Sequence, residues 1–195
     1  MSTSTKSYHH GDLRVALVAA AIEMLEAGEA YSMRAVARRA GVSQTAPYRH
    51  FADRDALDSA VAVEGFRDLR EELSQALCDA PDGSRPADLL GELGVAYVAF
   101  ALRRPAVFRL MFGNECDEAD SDRVQASGAL HAVLGDLLAR LYPHRMPSDL
   151  ATGLWGLAHG LAFLHLDGKY RPEPFDEVAS RVRAAVAAVL GLTTA

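Results

Sequence analysis

The sequence predicts an all-α protein of about nine helices, in which a small N-terminal three-helix unit is joined by one long helix to a larger helical bundle. Two observations predict this fold class. Apolar residues recur every three or four positions along most of the 195 residues, which is the period of an amphipathic helix. The stretch from Ser32 to Leu57 also places helix caps and a turn glycine where two short helices would meet.

The first predicted helix covers about Asp12 to Ala27. Gly28 follows the last apolar position and is expected to end the helix, since glycine readily adopts the left-handed conformation found there. The residues expected to be buried share one helical face, and they are Leu13, Leu17, Ala20, Ala21 and Met24.

A helix-turn-helix is predicted after this first helix. Ser32 is placed to cap a helix that Gly41 then ends. A second, short helix over 44–51 is expected to be capped by Ser43, with Pro47 tolerated in its first turn. In a DNA-binding helix-turn-helix the second helix enters the major groove, so this pattern indicates a DNA-binding head.

The long connecting helix is predicted from Asp53 to about Asp79, and it would be about 40 Å long. We expect a DNA-binding domain over residues 1–56 and a second domain over 57–195. The cluster of turn residues at 80–84 ends the long helix. Five further helices are predicted: Pro86–Arg103, Ala106–Phe112, Asp122–Leu141, Ser148–Asp167 and Phe175–Leu190.

The formal net charge of −6 is unusual for a DNA-binding protein, but it is unevenly distributed. Residues 1–55 hold seven Lys and Arg against six Asp and Glu, so the acidic excess lies in the rest of the chain. Long-range attraction to DNA is therefore expected to be modest, with close arginine–phosphate contacts supplying most of it.

Several other classes are disfavoured by the sequence. Neither a phosphate-binding glycine loop nor a Gly-x-Ser-x-Gly or His-Glu-x-x-His motif is present, which predicts no enzyme and no cofactor. The adjacent His9 and His10 point apart, so no metal site is expected. Cys78 and Cys116 form no Cys-x-x-Cys motif and no signal peptide is visible, which predicts reduced thiols in the cytoplasm.

A membrane span is the alternative interpretation of residues 150–166, which contain no Asp, Glu, Lys or Arg. This stretch is short for a span, holds two histidines and carries no flanking aromatic belt. We therefore expect a buried helix and no membrane partner. Together with the last helix it offers a self-complementary apolar surface, so a two-fold dimer is predicted through Gly153, Gly156, Gly160, Val178, Val182, Val186 and Val189.

The chain resembles the TetR family of bacterial transcription regulators. The matching residues of the helix-turn-helix are Ala37, Ala40-Gly41-Val42-Ser43, Tyr48-x-His50-Phe51 and Leu57. A subgroup with a tryptophan–histidine–glycine C-terminal domain is similar in three further segments, which are Tyr8–Leu13, Arg104–Phe112 and Trp155-x-x-x-His159-Gly160.

The resemblance implies a homodimeric DNA-binding regulator that recognises a palindromic operator in double-stranded DNA. It places Gln44, Thr45 and Ala46 against bases, where a glutamine can bond adenine and a methyl group can touch thymine. It places Tyr48 and His50 on phosphates, although both could instead only pack the head. The full predicted DNA-binding set is Arg34, Ser43, Gln44, Thr45, Ala46, Tyr48, His50 and Arg54.

The resemblance also implies an unidentified small-molecule effector inside the C-terminal bundle, whose binding would release a repressor from DNA. Apolar residues with a few polar groups are the candidates, namely Tyr97, Phe100, Phe108, Met111, Trp155 and His159. A core histidine or a dimer contact is the alternative for His159. For the whole chain, the alternatives are an activator, a ligand-independent regulator, or a helical ligand-binding module without DNA binding.

Overall fold

The computed structural model describes residues 10–113, 120–143 and 147–193. The described residues form eight α-helices and no strand, which confirms the predicted all-α class. Of the residues named above, Tyr8, His9 and Cys116 lie outside the described residues. The helices are α1 (His10–Glu26), α2 (Met33–Arg39), α3 (Arg54–Cys78), α4 (Pro86–Arg103), α5 (Pro105–Gly113), α6 (Ser121–Leu141), α7 (Pro147–Leu166) and α8 (Phe175–Thr193).

Local capping produces the first helix-turn-helix elements as predicted. The Ser32 hydroxyl accepts a hydrogen bond from the Ala35 amide at 3.2 Å, which satisfies an otherwise unpaired donor of α2. Gly41 has φ +71°, and the Val42 amide beyond it donates to the Ala37 carbonyl at 2.9 Å. This bond closes a Schellman motif at the end of α2.

The predicted second helix over 44–51 is instead a single 3-10 turn, Pro47–Arg49, so the described residues form eight α-helices and one 3-10 turn. In an α-helix the Ser43 carbonyl would accept from the amide of residue 47, but proline has none. The carbonyl accepts from the Ala46 amide at 3.0 Å, and the Arg49 amide donates to Ala46 at 3.2 Å. The chain therefore winds with the tighter spacing of a 3-10 helix.

Buried side chains form two clusters that meet along α3. The smaller cluster joins α1, α2 and the first turns of α3, and its fully buried members include Leu17, Val36 and Leu57. The larger cluster lies between the rest of α3 and helices α4 to α8. Leu110 of α5 packs against both clusters, so the small N-terminal unit rests directly on the bundle.

Helix α7 packs one face on the bundle and leaves the other exposed. Leu154, Ala158 and Ala162 are buried, whereas Gly153, Gly156 and Gly160 are exposed. No helix within the described ranges is both long and apolar enough to cross a membrane.

The predicted dimer surface needs a correction on α8. Val178, Val182 and Val186 are almost completely buried within the single chain. They face α4, where a Cβ atom added to Gly94 would lie 3.0 Å from Val182 Cγ1. The prediction is therefore wrong for these three valines, because a side chain enclosed by its own chain has no surface left for a partner. The exposed glycines of α7 and the half-buried Val189 remain a predicted interface.

Candidate nucleic-acid interface and core cavity

The turn after α2 presents a continuous exposed stretch, in which Ser43, Gln44 and Thr45 are all exposed. The Ser43 hydroxyl lies 3.3 Å from the Thr45 hydroxyl, so the predicted capping bond from Ser43 to a backbone amide is replaced by a side-chain contact. Ala46 is half-buried beside them. The structure thus brings together all three positions predicted to face bases.

Tyr48 projects into solvent from the 3-10 turn, with 53% of its surface exposed. Its neighbours Pro47 and Phe51 are buried and anchor the turn. The Arg14 guanidinium of α1 lies 5.4 Å from the centre of the Phe51 ring. An exposed aromatic residue on a firmly anchored turn is free to contact a partner, whereas His50 on the same turn is half-buried.

Basic side chains flank this turn. Arg34 at the start of α2, with Arg38 and Arg49, is exposed, and no ion pair within the described part of the chain involves these three. Arg39 differs, since it binds the Glu29 carboxylate at 2.8 Å and is therefore partly neutralised. The exposed face around the turn accordingly combines positive charge with polar side chains.

Arg54, which is predicted to bind a phosphate, contacts two buried residues, Asp58 and Tyr31. The Tyr31 hydroxyl donates to Asp58 Oδ1. Arg54 Nε lies 3.5 Å from Asp58 Oδ2, and its guanidinium is 4.8 Å from the centre of the Tyr31 ring. Burial, followed by the bond to Asp58, raises the pKa of Tyr31. More than half of the Arg54 side chain stays exposed, so it can still reach outward.

The role of Asp58 was not predicted from sequence. Its position four residues after Arg54 is a spacing that commonly forms an ion pair on a helix, and this was the available signal. The partnership with Tyr31 spans 27 residues and depends on tertiary packing.

A small cavity of about 50 Å³ lies in the bundle and is lined from α3, α4, α6, α7 and α8. Two of the predicted ligand-binding residues, Tyr97 and Trp155, line it. His159 lies directly behind Tyr97, with 2.8 Å between the Tyr97 hydroxyl and His159 Nδ1. The other lining residues are Leu73, Leu90, Leu93, Gly94, Leu130, His131, Leu134, Leu154, Ala158 and Val186.

Three predicted ligand-binding residues do not line this cavity. Phe100, Phe108 and Met111 are fully buried in solid core next to α5. Met111 packs so closely on Gly65 of α3 that an added Cβ there would lie 2.6 Å from its sulfur. Helical periodicity predicts burial equally for residues that line a cavity and for residues in the close-packed core. The leucines that line the cavity were therefore not predicted as ligand-binding residues.

Burial shifts the pKa values of two polar groups at the cavity, Tyr97 and His159. Burial raises the pKa of Tyr97, and a hydrogen bond from the Trp155 side chain to the Tyr97 hydroxyl partly opposes this shift. Burial, and secondly the proximity of His131, lower the pKa of His159. His159 is therefore neutral near pH 7 and can accept a hydrogen bond from Tyr97. The Trp155 indole nitrogen is shielded from solvent.

Two family models match the chain. The model of bacterial regulatory proteins of the tetR family matches residues 17–61, which contain the capped α2 and the exposed turn. The model of a tetracyclin repressor-like C-terminal domain matches residues 90–194, more than half of the chain. The chain belongs to the TetR family. Members of this family are transcriptional regulators of the helix-turn-helix type and not enzymes; the tryptophan–histidine–glycine subgroup remains a prediction.

Two relatives show how far the sequence likeness extends. The HTH-type transcriptional regulator Rv1816 of Mycobacterium tuberculosis is 27% identical over 114 residues, which cover 58% of this chain and 48% of that protein. An uncharacterized HTH-type transcriptional regulator of Haemophilus influenzae is 29% identical over 142 residues, covering 71% and 68% of the two chains. The chain thus spans about half the length of the mycobacterial relative it matches.

Solved structures agree with the fold. A protein with unknown function from Rhodococcus sp. RHA1 superposes with a TM-score of 0.77 at 34% identity, covering 93% of this chain and 96% of that one. The TetR-like transcriptional regulator LfrR from Mycobacterium smegmatis, solved in complex with proflavine, has a TM-score of 0.60 at 16% identity, covering 90% and 94%. The second likeness concerns the fold alone.

Proposed function

We propose that this TetR-family chain acts as a homodimer that binds a palindromic operator and represses transcription until a small-molecule effector releases it. The observation that carries the DNA-binding part is the exposed turn of Gln44 and Tyr48 held on a buried base of Pro47 and Phe51. A rigid turn carrying polar and aromatic side chains can meet base edges and phosphates without first being ordered.

Sequence selection is assigned to the turn and affinity to the flanking arginines. Gln44 can bond adenine bidentately, and the Thr45 and Ala46 methyl groups can contact thymine. Tyr48, with Arg34 and Arg54 at the starts of their helices, would bond phosphates and fix the register on the duplex. Because the chain as a whole is acidic, these few contacts must supply most of the electrostatic attraction.

The dimer is assigned to the exposed faces of α7 and α8. Gly153, Gly156 and Gly160 leave α7 flat, since a Cβ atom added at each would meet nothing within 4 Å. Leu164 is 39% exposed at the end of the same helix. Two such helices from each protomer would close a four-helix bundle, and the two heads would then face one palindrome.

Effector release is assigned to α3, which runs from the head to the cavity. Leu73 near its C-terminal end lines the cavity, and Arg54 at its first turn belongs to the DNA-binding face. The helix is about 37 Å long, so a small tilt at one end moves the other. Moving the two heads apart would break the half-site spacing and lower the affinity for DNA.

Two variants test the DNA-binding part, using a fluorescent duplex of about 30 base pairs at low salt, because phosphate contacts dominate there. Tyr48→Ala should weaken binding, whereas Tyr170→Ala, which removes another exposed tyrosine far along the chain, should not. Arg54→Ala should lower the slope of log K against log salt by about one unit if Arg54 holds a phosphate. Equal affinities for both tyrosine variants and an unchanged slope would contradict the assignment and favour a helical module that does not bind DNA.

A further inference from the structure

The segment Arg104–Phe112 lies between the bundle and the head, which is formed by α1, α2 and the turn after α2. The segment comprises the residue that caps the end of α4 and most of helix α5. Leu110 packs against the buried clusters of both parts, and Ile22 and Leu25 of α1 do the same from the head. The head is therefore attached to the bundle at two places, along α3 and through this contact between α1 and α5.

The Arg104 guanidinium joins the two parts by ion pairs. It binds Glu26, the last residue of α1, and Asp68 of α3, which is next to Leu69 in the core of the bundle. Only 21% of the Arg104 side chain is exposed, and its guanidinium lies 5.6 Å from the centre of the Phe100 ring. Because partial burial reduces screening by solvent, these pairs are stronger than pairs on an open surface.

The bundle holds Arg104 and α5 firmly in place. The Arg104 amide donates to the Phe100 carbonyl at 2.9 Å, which fixes its backbone to the last turn of α4. Met111 packs directly on Gly65 of α3, where an added Cβ atom would lie 2.6 Å from the sulfur. The buried Arg123 of α6 donates to the Met111 carbonyl at 2.9 Å and holds the far end of α5. The head residue Glu26 is thus bound to a fixed point of the bundle.

From this geometry we propose that Glu26 and Arg104 are positioning residues that set the spacing of the operator half-sites. A head attached by α3 alone can swing as that long helix bends, whereas a second attachment away from α3 prevents the swing. The separation of the two heads in a dimer is then fixed, and with it the half-site spacing that both can bind. The proposal rests on the proposed function, because spacing matters only to a dimer that binds DNA, but it requires no effector.

Operators of altered spacing test the proposal. A palindrome is first selected from random duplexes with the wild-type full chain, and versions with one base pair added or removed at its centre are compared with it by fluorescence anisotropy. One base pair shifts a half-site by about 3.4 Å and turns it by about 35°, so a dimer with fixed heads should bind these versions poorly. In Glu26→Gln this penalty should shrink about two- to fivefold, as expected for the loss of one partly exposed ion pair.

Glu72→Gln is the matched control and should keep the wild-type penalty. The Glu72 and Glu26 side chains are equally exposed, at 37%, but Glu72 pairs with Arg103, so both partners of that pair lie in the bundle. Both variants remove one negative charge, and a loss of stability alone would weaken binding at every spacing equally. An unchanged penalty in a Glu26→Gln protein that binds DNA would overturn the proposal. If Glu26→Gln does not fold, Arg104→Gln breaks the same pair from the other side.

A distance measurement without DNA separates this proposal from DNA binding. Val15 is 68% exposed on α1 and Cys78 is exposed at the end of α3, so Val15→Cys and Cys78 can carry spin labels in a Cys116→Ser chain. Labelled chains diluted with unlabelled protein report the distance within one protomer. Glu26→Gln should broaden the distance distribution, and Glu72→Gln should not. Equal widths would overturn the proposal, whereas a broadened distribution in a protein that binds no DNA would support the attachment and contradict the proposed function.

Discussion

The Tyr31 hydroxyl donates to the Asp58 carboxylate, although the two residues lie on opposite sides of the helix-turn-helix in sequence. Both side chains are buried, and Asp58 also holds Arg54 at the first turn of α3. This bond fastens the segment entering α2 to the helix that leaves the head. It therefore sets the position of the DNA-binding turn relative to the rest of the molecule.

Removing the Tyr31 hydroxyl should destabilise the fold. In Tyr31→Phe the buried Asp58 carboxylate loses its donor, which should lower the free energy of unfolding by about 1–3 kcal/mol. Urea denaturation measures the change. Tyr170→Phe is the matched control, because Tyr170 is exposed, and it should stay within about 0.5 kcal/mol of the wild type. Equal midpoints for the two variants would mean that the Asp58 contact contributes nothing.

Stability should fall as the pH drops below about 6.5, the pKa of an unperturbed histidine in the unfolded chain. Burial lowers the pKa of His159 and of His165 in the folded state, so the folded protein favours their neutral forms. As the pH falls, these histidines therefore take up protons in the unfolded chain before they do so in the folded protein. The stability present above pH 6.5 is lost progressively as the pH approaches the lower pKa values of the folded state.

The histidine effect can be divided by mutation. His159→Asn should reduce the loss of thermal stability between pH 7.5 and pH 5.5 and leave the part due to His165. The comparison is made as a difference between the two pH values, so the altered packing of the variant cancels to first order. The same loss in wild type and variant would show that His159 has no part in it.

Arg104 should contribute more stability than its neighbour Arg103. It binds Glu26 of α1 and Asp68 of α3, and its guanidinium lies 5.6 Å from the centre of the Phe100 ring. Arg104→Met should lower the free energy of unfolding by about 1–3 kcal/mol, because two carboxylates lose a charged partner. Arg103→Met breaks a single ion pair, with Glu72, which is more exposed to solvent. This change should lower the free energy of unfolding by at most about 1 kcal/mol. Chemical denaturation that ranks the two equally would contradict this role.

Gly156→Arg should convert the dimer into a monomer without unfolding it. The residue is exposed, and nothing within 4 Å would meet a new Cβ atom, so the single chain tolerates the change. At the proposed interface, however, two arginines would meet across the two-fold axis. Light scattering after size-exclusion chromatography measures the mass. Gly128→Arg, at an equally open glycine of α6, should remain dimeric, and a dimeric Gly156→Arg would place the interface elsewhere.

Local rules predicted the parts of the fold that short-range chemistry decides. Ser32 and Asp53 cap their helices through their own side chains, and Gly41 ends α2 with a positive φ. Each of these features depends on residues within a few positions. The exception is Pro47, for which tolerance in a first helical turn was predicted. Its missing amide instead shifts the turn to 3-10 geometry.

Tertiary choices were less predictable. The stripe of Val178, Val182 and Val186 was correctly predicted to be apolar, but periodicity does not say whether such a stripe faces a partner or α4. Likewise, the sequence does not distinguish Tyr97 from Phe108, because both are aromatic residues at positions expected to be buried. Only Tyr97 lines the cavity, whereas Phe108 is fully buried outside its wall.

Selection of bound fragments from the source genome by the purified full chain tests the central claim most directly. If the protein binds its operator as a dimer, we expect strong enrichment of one palindrome, whose half-sites are separated by about one helical turn of DNA or a multiple of it. Gln44→Ala should bind a changed set, because that side chain is assigned to base recognition. Recovery of only background sequences by a folded dimer would contradict the account.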